Sequence, residues 1–534
     1  MKQAGNFVKA INKSVNKKIQ LFTAIGSFLV SISIMPTLSY DAVTIPKIMI
    51  LYGLGFGLLG LFVAKTKSER FLLSRILTLI IFIIGLLFAF FLGTTNWQIQ
   101  FYGVVGRGTG LITYLCLSII FAASAILSSD QFAKYLVNAL IYSGYIAVIF
   151  GMIQFFGFDP IPWENPNNAV ITMFGNPNFA SAHLGICALA MLPLILQRQK
   201  FSFSLVSQFL FMIFALFICT VSDSSQGLLL IALISPLIIY RRFLHLTNKK
   251  LIKFAFFIFY SILLLAGFLA FFNRGILSSI IYQTSFQHRR DMWATALTMV
   301  RSNPWHGVGL DSYGYWYRTY RSSENVDRWG LGTVSDSAHN VFLDFAANGG
   351  IALLAGYLII VIAVFFSGLR MLSVKREISK YEVSIIFGAL AYLVQSFFSI
   401  NQLGIAIWGW VFGGFILGRK IKNDKTEPIE NNSRLWEMRA DSKPLKLSLV
   451  GICVGLLIGF PLAKKDAQFR DALISGDGNA LEKIISAFPL NTEFFVVAGK
   501  AYELSGIDDF ALKTSLSAVD FNERDFDSWL MIFE

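Results

Sequence analysis

Between Phe272 and Asn340 lie seven arginines, four tryptophans and no lysine, in the longest polar interruption before the C-terminus. The absence of lysine points to guanidinium geometry rather than to charge alone, because its planar fork of donors fits phosphate oxygens. Arg289 and Arg290 open an amphipathic segment in which Trp293, Leu297 and Val300 share one side of a helix suited to a membrane interface. Arg318 and Arg321 follow among Tyr313, Tyr315, Tyr317 and Tyr320, whose rings suit sugar faces and an interface equally. Seven arginines against five acids leave the stretch positive. Its arginines therefore either bind phosphate or another anion, or anchor the interface and pair with acids. The stretch ends in Ser337-Ala338-His339-Asn340, at the head of an apolar run. An imidazole at a helix N-terminus tends to stay neutral, because the dipole disfavours the cation. A neutral His339 can take a proton from an acceptor hydroxyl as general base; the alternative for His339 and Asn340 is simple helix capping.

Two shorter polar stretches carry further candidates. Arg107 stands among Gly103, Gly106, Gly108 and Gly110 at a helix mouth, where it either snorkels to headgroups or contacts a phosphate beside free backbone N–H groups. In Gly175-Asn176-Pro177-Asn178-Phe179, Pro177 biases Asn176 away from helix and a capping Asn begins the next run. His183 falls one or two turns inside that run. A titratable residue at such depth is either functional or hydrogen-bonded to a neighbouring helix.

The elements that must position these residues are apolar helices. The 534-residue chain is 55% hydrophobic and 14% charged, with 52 Phe, which excludes an ordinary soluble domain. Apolar runs predict an all-α polytopic membrane protein with about thirteen transmembrane helices. They fall at 20–37, 45–64, 72–92, 108–127, 133–156, 179–196, 203–220, 226–240, 252–272, 340–366, 382–400, 403–418 and 446–461. Spans one to nine fill 20–272, a large loop covers 273–339, spans ten to twelve fill 340–418, and a basic linker at 419–445 precedes span thirteen. With that count the lysine- and arginine-rich connections all fall on one side, with the N-terminal 1–19. Positive-inside makes that side cytoplasmic and puts the large loop and the tail at 462–534 outside. The net charge of +13 thus reads as an orientation signal, not as a nucleic-acid surface. Four cysteines lie inside apolar runs without metal-site spacing, and neither a metal nor another cofactor is expected.

The chain also resembles a known family, the O-antigen ligase and O-antigen polymerase superfamily, which includes bacterial protein O-oligosaccharyltransferases. The resemblance covers roughly residues 100–418. It rests on Gly175-Asn176-Pro177-Asn178-Phe179, on Arg289-x-x-x-Trp293 followed by Pro304-Trp305-His306-Gly307-Val308-Gly309, and on His339-Asn340 followed by Gly350. It implies a bacterial inner-membrane glycosyltransferase of lipopolysaccharide or polysaccharide biosynthesis. Such an enzyme moves a glycan from a polyprenyl diphosphate to an acceptor at the periplasmic face. The acceptor would be lipid A core, a second lipid-linked glycan or a protein hydroxyl. By resemblance Arg289 and another outside arginine hold the diphosphate and His339 assists the acceptor. Leu353 departs from the ligase pattern, which has a small residue or tyrosine there, and this leaves ligase and polymerase both open. No Asp-x-Asp pair precedes Asp525-Phe526-Asp527 on the outside stretches, in keeping with a metal-independent transferase.

After Leu462 the composition turns acidic. Gly499, Tyr502, Gly506, Ala511 and Ala518 fit the spacing of a tetratricopeptide helix pair, so the tail reads as a small helical module that docks a protein partner or packs on the large loop. A transporter is the rival from another class. The apolar runs carry neither an inverted repeat nor the deep charges that coupled transport uses.

Overall fold

The computed structural model describes residues 2–63, 70–161, 170–197, 200–246, 250–276, 278–281, 284–373, 378–419 and 443–533. Every regular element among them is helical. In chain order these are α1 (Lys2–Ile32), α2 (Thr44–Val63), α3 (Arg70–Leu92), α4 (Trp97–Tyr102), α5 (Leu111–Leu127), α6 (Asp130–Phe155), α7 (Pro177–Leu196), α8 (Phe203–Val221), α9 (Gln226–Leu246), α10 (Lys250–Phe271) and α11 (Ser278–Ile281). There follow α12 (Thr284–Ser302), α13 (Tyr313–Tyr320), α14 (Ser323–Trp329), α15 (Val341–Ser373), α16 (Lys380–Gln395), α17 (Leu403–Gly418), α18 (Lys443–Ser475), α19 (Gly478–Ile485), α20 (Thr492–Leu504), α21 (Asp508–Phe521) and α22 (Phe526–Phe533). The expected linker lies, from residue 420 to 442, outside the described residues.

The count of thirteen spans is corrected. Among the described residues seven helices are long and apolar enough to cross a membrane: α2, α6, α7, α8, α10, α15 and α18. Multiple spans still make this a multi-pass membrane protein. Part of the excess arose because apolarity does not set helix length; caps do. Helix α17 runs only 16 residues, from its Gln402 cap to Arg419, and α5 only 17, from Gly110 to Ser128. At 1.5 Å per residue these reach about 25 Å, short of a hydrocarbon core about 30 Å thick. The run expected at 382–400 ends as helix at Gln395, after a capping box at Ser379 and Glu382. The parity argument for sidedness rested on thirteen spans and falls with them.

One continuous apolar core joins α1–α9 to α15–α17, and its members include Trp408, Phe82, Phe132 and Phe412. Helix α18 packs against α2 through small residues: a Cβ on Gly451 or Gly455 would stand 2.1 and 2.3 Å from the carbonyl oxygens of Phe56 and Tyr52. Such contact is how apolar helices adhere without a hydrophobic driving force. Some polar groups inside the bundle pair across helices, as where Trp408 Nε1 donates to Ser31 Oγ at 2.8 Å and Ser124 Oγ donates to the Val411 carbonyl at 2.5 Å.

Several polar connections gather at one end of this bundle. Asp41 accepts from Gly106 N at 3.0 Å, Gln100 Oε1 accepts from Leu310 N at 3.1 Å, and Thr95 Oγ1 donates to the Val308 carbonyl at 3.1 Å. The tail joins the same end. Asp466 accepts from Tyr40 N at 2.7 Å and Asp41 N at 2.9 Å, and Leu490 N donates to Gln98 Oε1 at 2.7 Å.

Candidate functional site

The site is built around a break in α15. Gly350 has φ +67 and ψ −171, which no side chain adopts easily, and it divides α15 into a short leading helix and the longer membrane-length piece. The turn Asn303–Gly309 docks into the break. Ile351 N donates to the Pro304 carbonyl at 2.7 Å, Val308 N to Ala347 at 2.9 Å and Gly309 N to Asn348 at 3.0 Å. A Cβ on Gly307 or Gly350 would come within 2.4 Å of the facing backbone, so both glycines are needed for this approach. The Pro-x-x-Gly-x-Gly spacing is thus the shape of a turn that fills a helix break.

That docking fixes α12 on the near side of the break and residues 335–340 at the head of α15. Met292, Ala296 and Met299 of α12 form a small core with Tyr313, Tyr317 and Ala347. Asp291 accepts Arg328's fork at 3.0 and 2.7 Å and the Trp329 indole N–H at 2.8 Å, tying α14 to α12. His288 stacks on Trp329 with ring centroids 4.8 Å apart.

Arg289 and His339 are brought together. Arg289 is half-buried and, among the described residues, makes neither a hydrogen bond nor an ion pair; burial alone pulls its pKa below the usual range. His339 sits at φ +48, a left-handed conformation that costs about 1–2 kcal/mol in a non-glycine residue. Burial holds its pKa down at about 4, helped by the charges of Arg289, Arg107 and His288 and opposed by Asp336. At neutral pH His339 is therefore an uncharged imidazole in the field of the Arg289 guanidinium. Asn340 caps α15, its Oδ1 accepting from Phe342 N at 3.0 Å and Leu343 N at 3.1 Å, so its amide oxygen is occupied.

Arg107 reaches the same neighbourhood but is already engaged. Its side chain is buried, with Nε 3.3 Å from Asp311, Nη1 3.9 Å from Asp336 and Nη2 3.9 Å from Asp344. Nη1 also donates to the Asp336 carbonyl oxygen. Burial opposes the charge, yet these three carboxylates outweigh it and hold the pKa above its ordinary value. Asp311, at φ +53, in turn accepts from Val104 N at 2.9 Å and Thr109 Oγ1 at 2.6 Å. The geometry gives Arg107 a holding role that joins three chain segments.

The remaining arginines are dispersed. Arg321 donates to the carbonyls of Thr333 and Leu331 at 2.8 Å each and organises the stretch after α14. Arg318 lies 3.5 Å over the Phe526 ring, and Arg524 lies 3.8 Å over Trp316, a reciprocal clasp between α13 and the tail. Arg290 is exposed on the outer side of α12.

Asn176, Asn178 and His183 form a separate cluster. Asn176 caps α7 by accepting from Asn178 N at 2.9 Å, and Asn178 Oδ1 accepts from Ser224 Oγ at 2.8 Å. His183 is fully buried, 3.1 Å from Ser143 Oγ, with its ring 4.7 Å from Phe174. Sequence reasoning missed Asp344 and the holding roles of Asp311 and Asp336. Their signal is only a carboxylate within a few residues of the glycine and histidine motifs. Among the described residues no group of three or more His, Cys, Asp or Glu could hold a metal ion.

The stretch that carries Arg289, the docked turn and His339 is also the stretch that resembles known sequences. Residues 208–358 match the O-antigen ligase family model. The O-antigen ligase match covers α9 to α14, part of α8 and the leading part of α15, and so includes both halves of the break at Gly350. A search of the curated proteins gives no match.

Proposed function

We propose that the protein transfers a glycan from a polyprenyl diphosphate to an acceptor hydroxyl at the periplasmic face of the bacterial inner membrane. The observation that carries this reading is Arg289: a half-buried guanidinium without an acid partner among the described residues, beside an imidazole held neutral. An unpaired cation in that setting favours an anion with several acceptor oxygens. Arg289 would hold the diphosphate and stabilise the charge that grows on it as the glycosidic C–O bond breaks. The acceptor hydroxyl oxygen would attack the same anomeric carbon, giving its proton to His339 as the new C–O bond forms. The diphosphate leaves on its lipid, and His339 returns its proton to solvent.

An apolar groove supports the lipid part of this reading. It lies between α15, α16, α17 and α5 and is lined by Tyr357, Val361, Phe365, Ile386, Leu390 and Trp410. Tyr357, at one edge of the groove, packs on Phe345, the neighbour of Asp344, with centroids 4.6 Å apart. A prenyl chain would lie there with its diphosphate toward Arg289.

The test is incubation of the purified protein in liposomes with a polyprenyl-diphosphate oligosaccharide, alone and with lipid A core or a hydroxyl-bearing peptide. Transfer that requires core lipid or peptide identifies a ligase or an oligosaccharyltransferase, and longer lipid-linked glycans from donor alone identify a polymerase. Failure to consume a native donor under all of these conditions overturns the proposal.

A further inference from the structure

The backbone next to His339 is held by one carboxylate that the proposal above does not use. Asp344 lies in the first turn of α15 and is 8% exposed. Its Oδ1 accepts from Ala338 N at 2.7 Å, which ties the residue before His339 to α15. Its Oδ2 is buried, makes no hydrogen bond among the described residues, and lies 3.9 Å from Arg107 Nη2.

The turn around it is held at several points. Ser337 Oγ accepts from His339 N at 3.3 Å, Ser335 Oγ donates to the Ser337 carbonyl at 2.8 Å, and Asn340 Nδ2 donates to the Phe397 carbonyl at 3.2 Å. A left-handed residue such as His339 persists only where its surroundings over-determine it. The Ala338 bond, together with the Asn340 cap, ties the turn to the first turn of α15.

We propose that Asp344 is a positioning residue, which sets the His339 imidazole by accepting the Ala338 N–H with one oxygen while the other faces Arg107. This rests on the reading of His339 as general base. The inference separates two substitutions. Asparagine keeps an oxygen for Ala338 and loses the charge; alanine loses both. If the hydrogen bond positions His339, Asp344→Asn preserves function and Asp344→Ala does not. If charge toward Arg107 is what matters, both fail alike.

The experiment uses the full chain in nanodiscs, with two readouts on each variant. Hydrogen exchange across residues 335–341 reports the turn whatever reaction the protein performs. Steady-state transfer from a polyprenyl-diphosphate oligosaccharide reports the chemistry. Asp344→Ala is expected to raise exchange about tenfold, as one lost hydrogen bond would. Its kcat is expected to fall about 100-fold, as a base displaced by 1 Å would give. KM for the donor should stay within about threefold of wild type, because Arg289 is untouched. Asp344→Asn should stay close to wild type in both readouts. Unchanged exchange or wild-type kcat in Asp344→Ala overturns the inference, as does Asp344→Asn failing like Asp344→Ala. Wild type that transfers nothing overturns the functional proposal instead, and the exchange readout then decides the positioning alone.

Discussion

Replacing Gly350 by alanine tests whether the break in α15 builds the site. Gly350 has φ +67 and ψ −171. Holding an alanine in that region costs about 1–3 kcal/mol. The added Cβ would stand 2.4 Å from both C and O of Trp305 and 2.6 Å from His306 N. All three are backbone atoms, so no side chain can rotate aside and the turn must move. That movement strains three hydrogen bonds, from Ile351 N, Val308 N and Gly309 N. Each is worth about 0.5–1.5 kcal/mol. The total loss is therefore roughly 2.5–7.5 kcal/mol. Gly106 supplies the control: it has φ +82 but nothing within 4 Å of a Cβ, so its alanine variant carries backbone strain alone. That strain is about 1–2 kcal/mol. Thermal unfolding followed by tryptophan fluorescence, with hydrogen exchange at 303–309, should rank Gly350→Ala well below Gly106→Ala, with the excess exchange confined to the docked turn. Equal losses, or a turn that stays protected in Gly350→Ala, would refute the reasoning.

Three further expectations follow from the same geometry. Arg107→Ala leaves Asp311 and Asp344 buried without their cation and should destabilise the protein by about 3–5 kcal/mol, read as a fall in unfolding midpoint larger than that of Arg290→Ala. With its pKa at about 4, His339 stays neutral far below the ordinary histidine range near 6.5, so the acid limb of its contribution to kcat should lie near pH 4; Arg289→Ala removes a cation that lowers this pKa, and an NMR titration of His339 should move up. By linkage the unfolded chain binds this proton more readily, so stability at this residue falls as pH drops from about 6.5 through about 4. The double variant Arg524→Ala, Phe526→Ala dissolves the clasp on α13, and limited proteolysis should then cut between α18 and α22 faster while leaving the apolar bundle intact.

Much of the candidate site is legible in residue types and order. Arg289 is one of seven arginines in a lysine-free stretch and is singled out only by the Arg-x-x-x-Trp resemblance, while His339-Asn340 stands out as a polar pair at the head of an apolar run. The purpose of Gly307, Gly309 and Gly350 is not legible. Spacing marks them, but only their close approach across the break explains them. The fate of Arg107 is hidden for another reason. Its three carboxylates come from the distant stretch 311–344, and nothing local says that a guanidinium among glycines will meet them. Arg318 and Arg321 show the limit of composition: both look like phosphate ligands, yet one clasps a tail phenyl ring and the other holds backbone carbonyls. The helical class follows from apolar content, whereas the lengths of α5, α16 and α17 depend on where Gly110, Ser379 and Gln402 cap them.

The central claim is that Arg289 binds the donor and His339 does the proton chemistry. Its most direct test is donor binding measured beside transfer in wild type, Arg289→Ala and His339→Ala, with a polyprenyl-diphosphate oligosaccharide in nanodiscs. The expected result is a split: Arg289→Ala weakens donor binding and abolishes transfer, while His339→Ala binds donor as wild type does and loses transfer by at least about 100-fold. Wild-type donor affinity in Arg289→Ala, or transfer at the wild-type rate in His339→Ala, would contradict it.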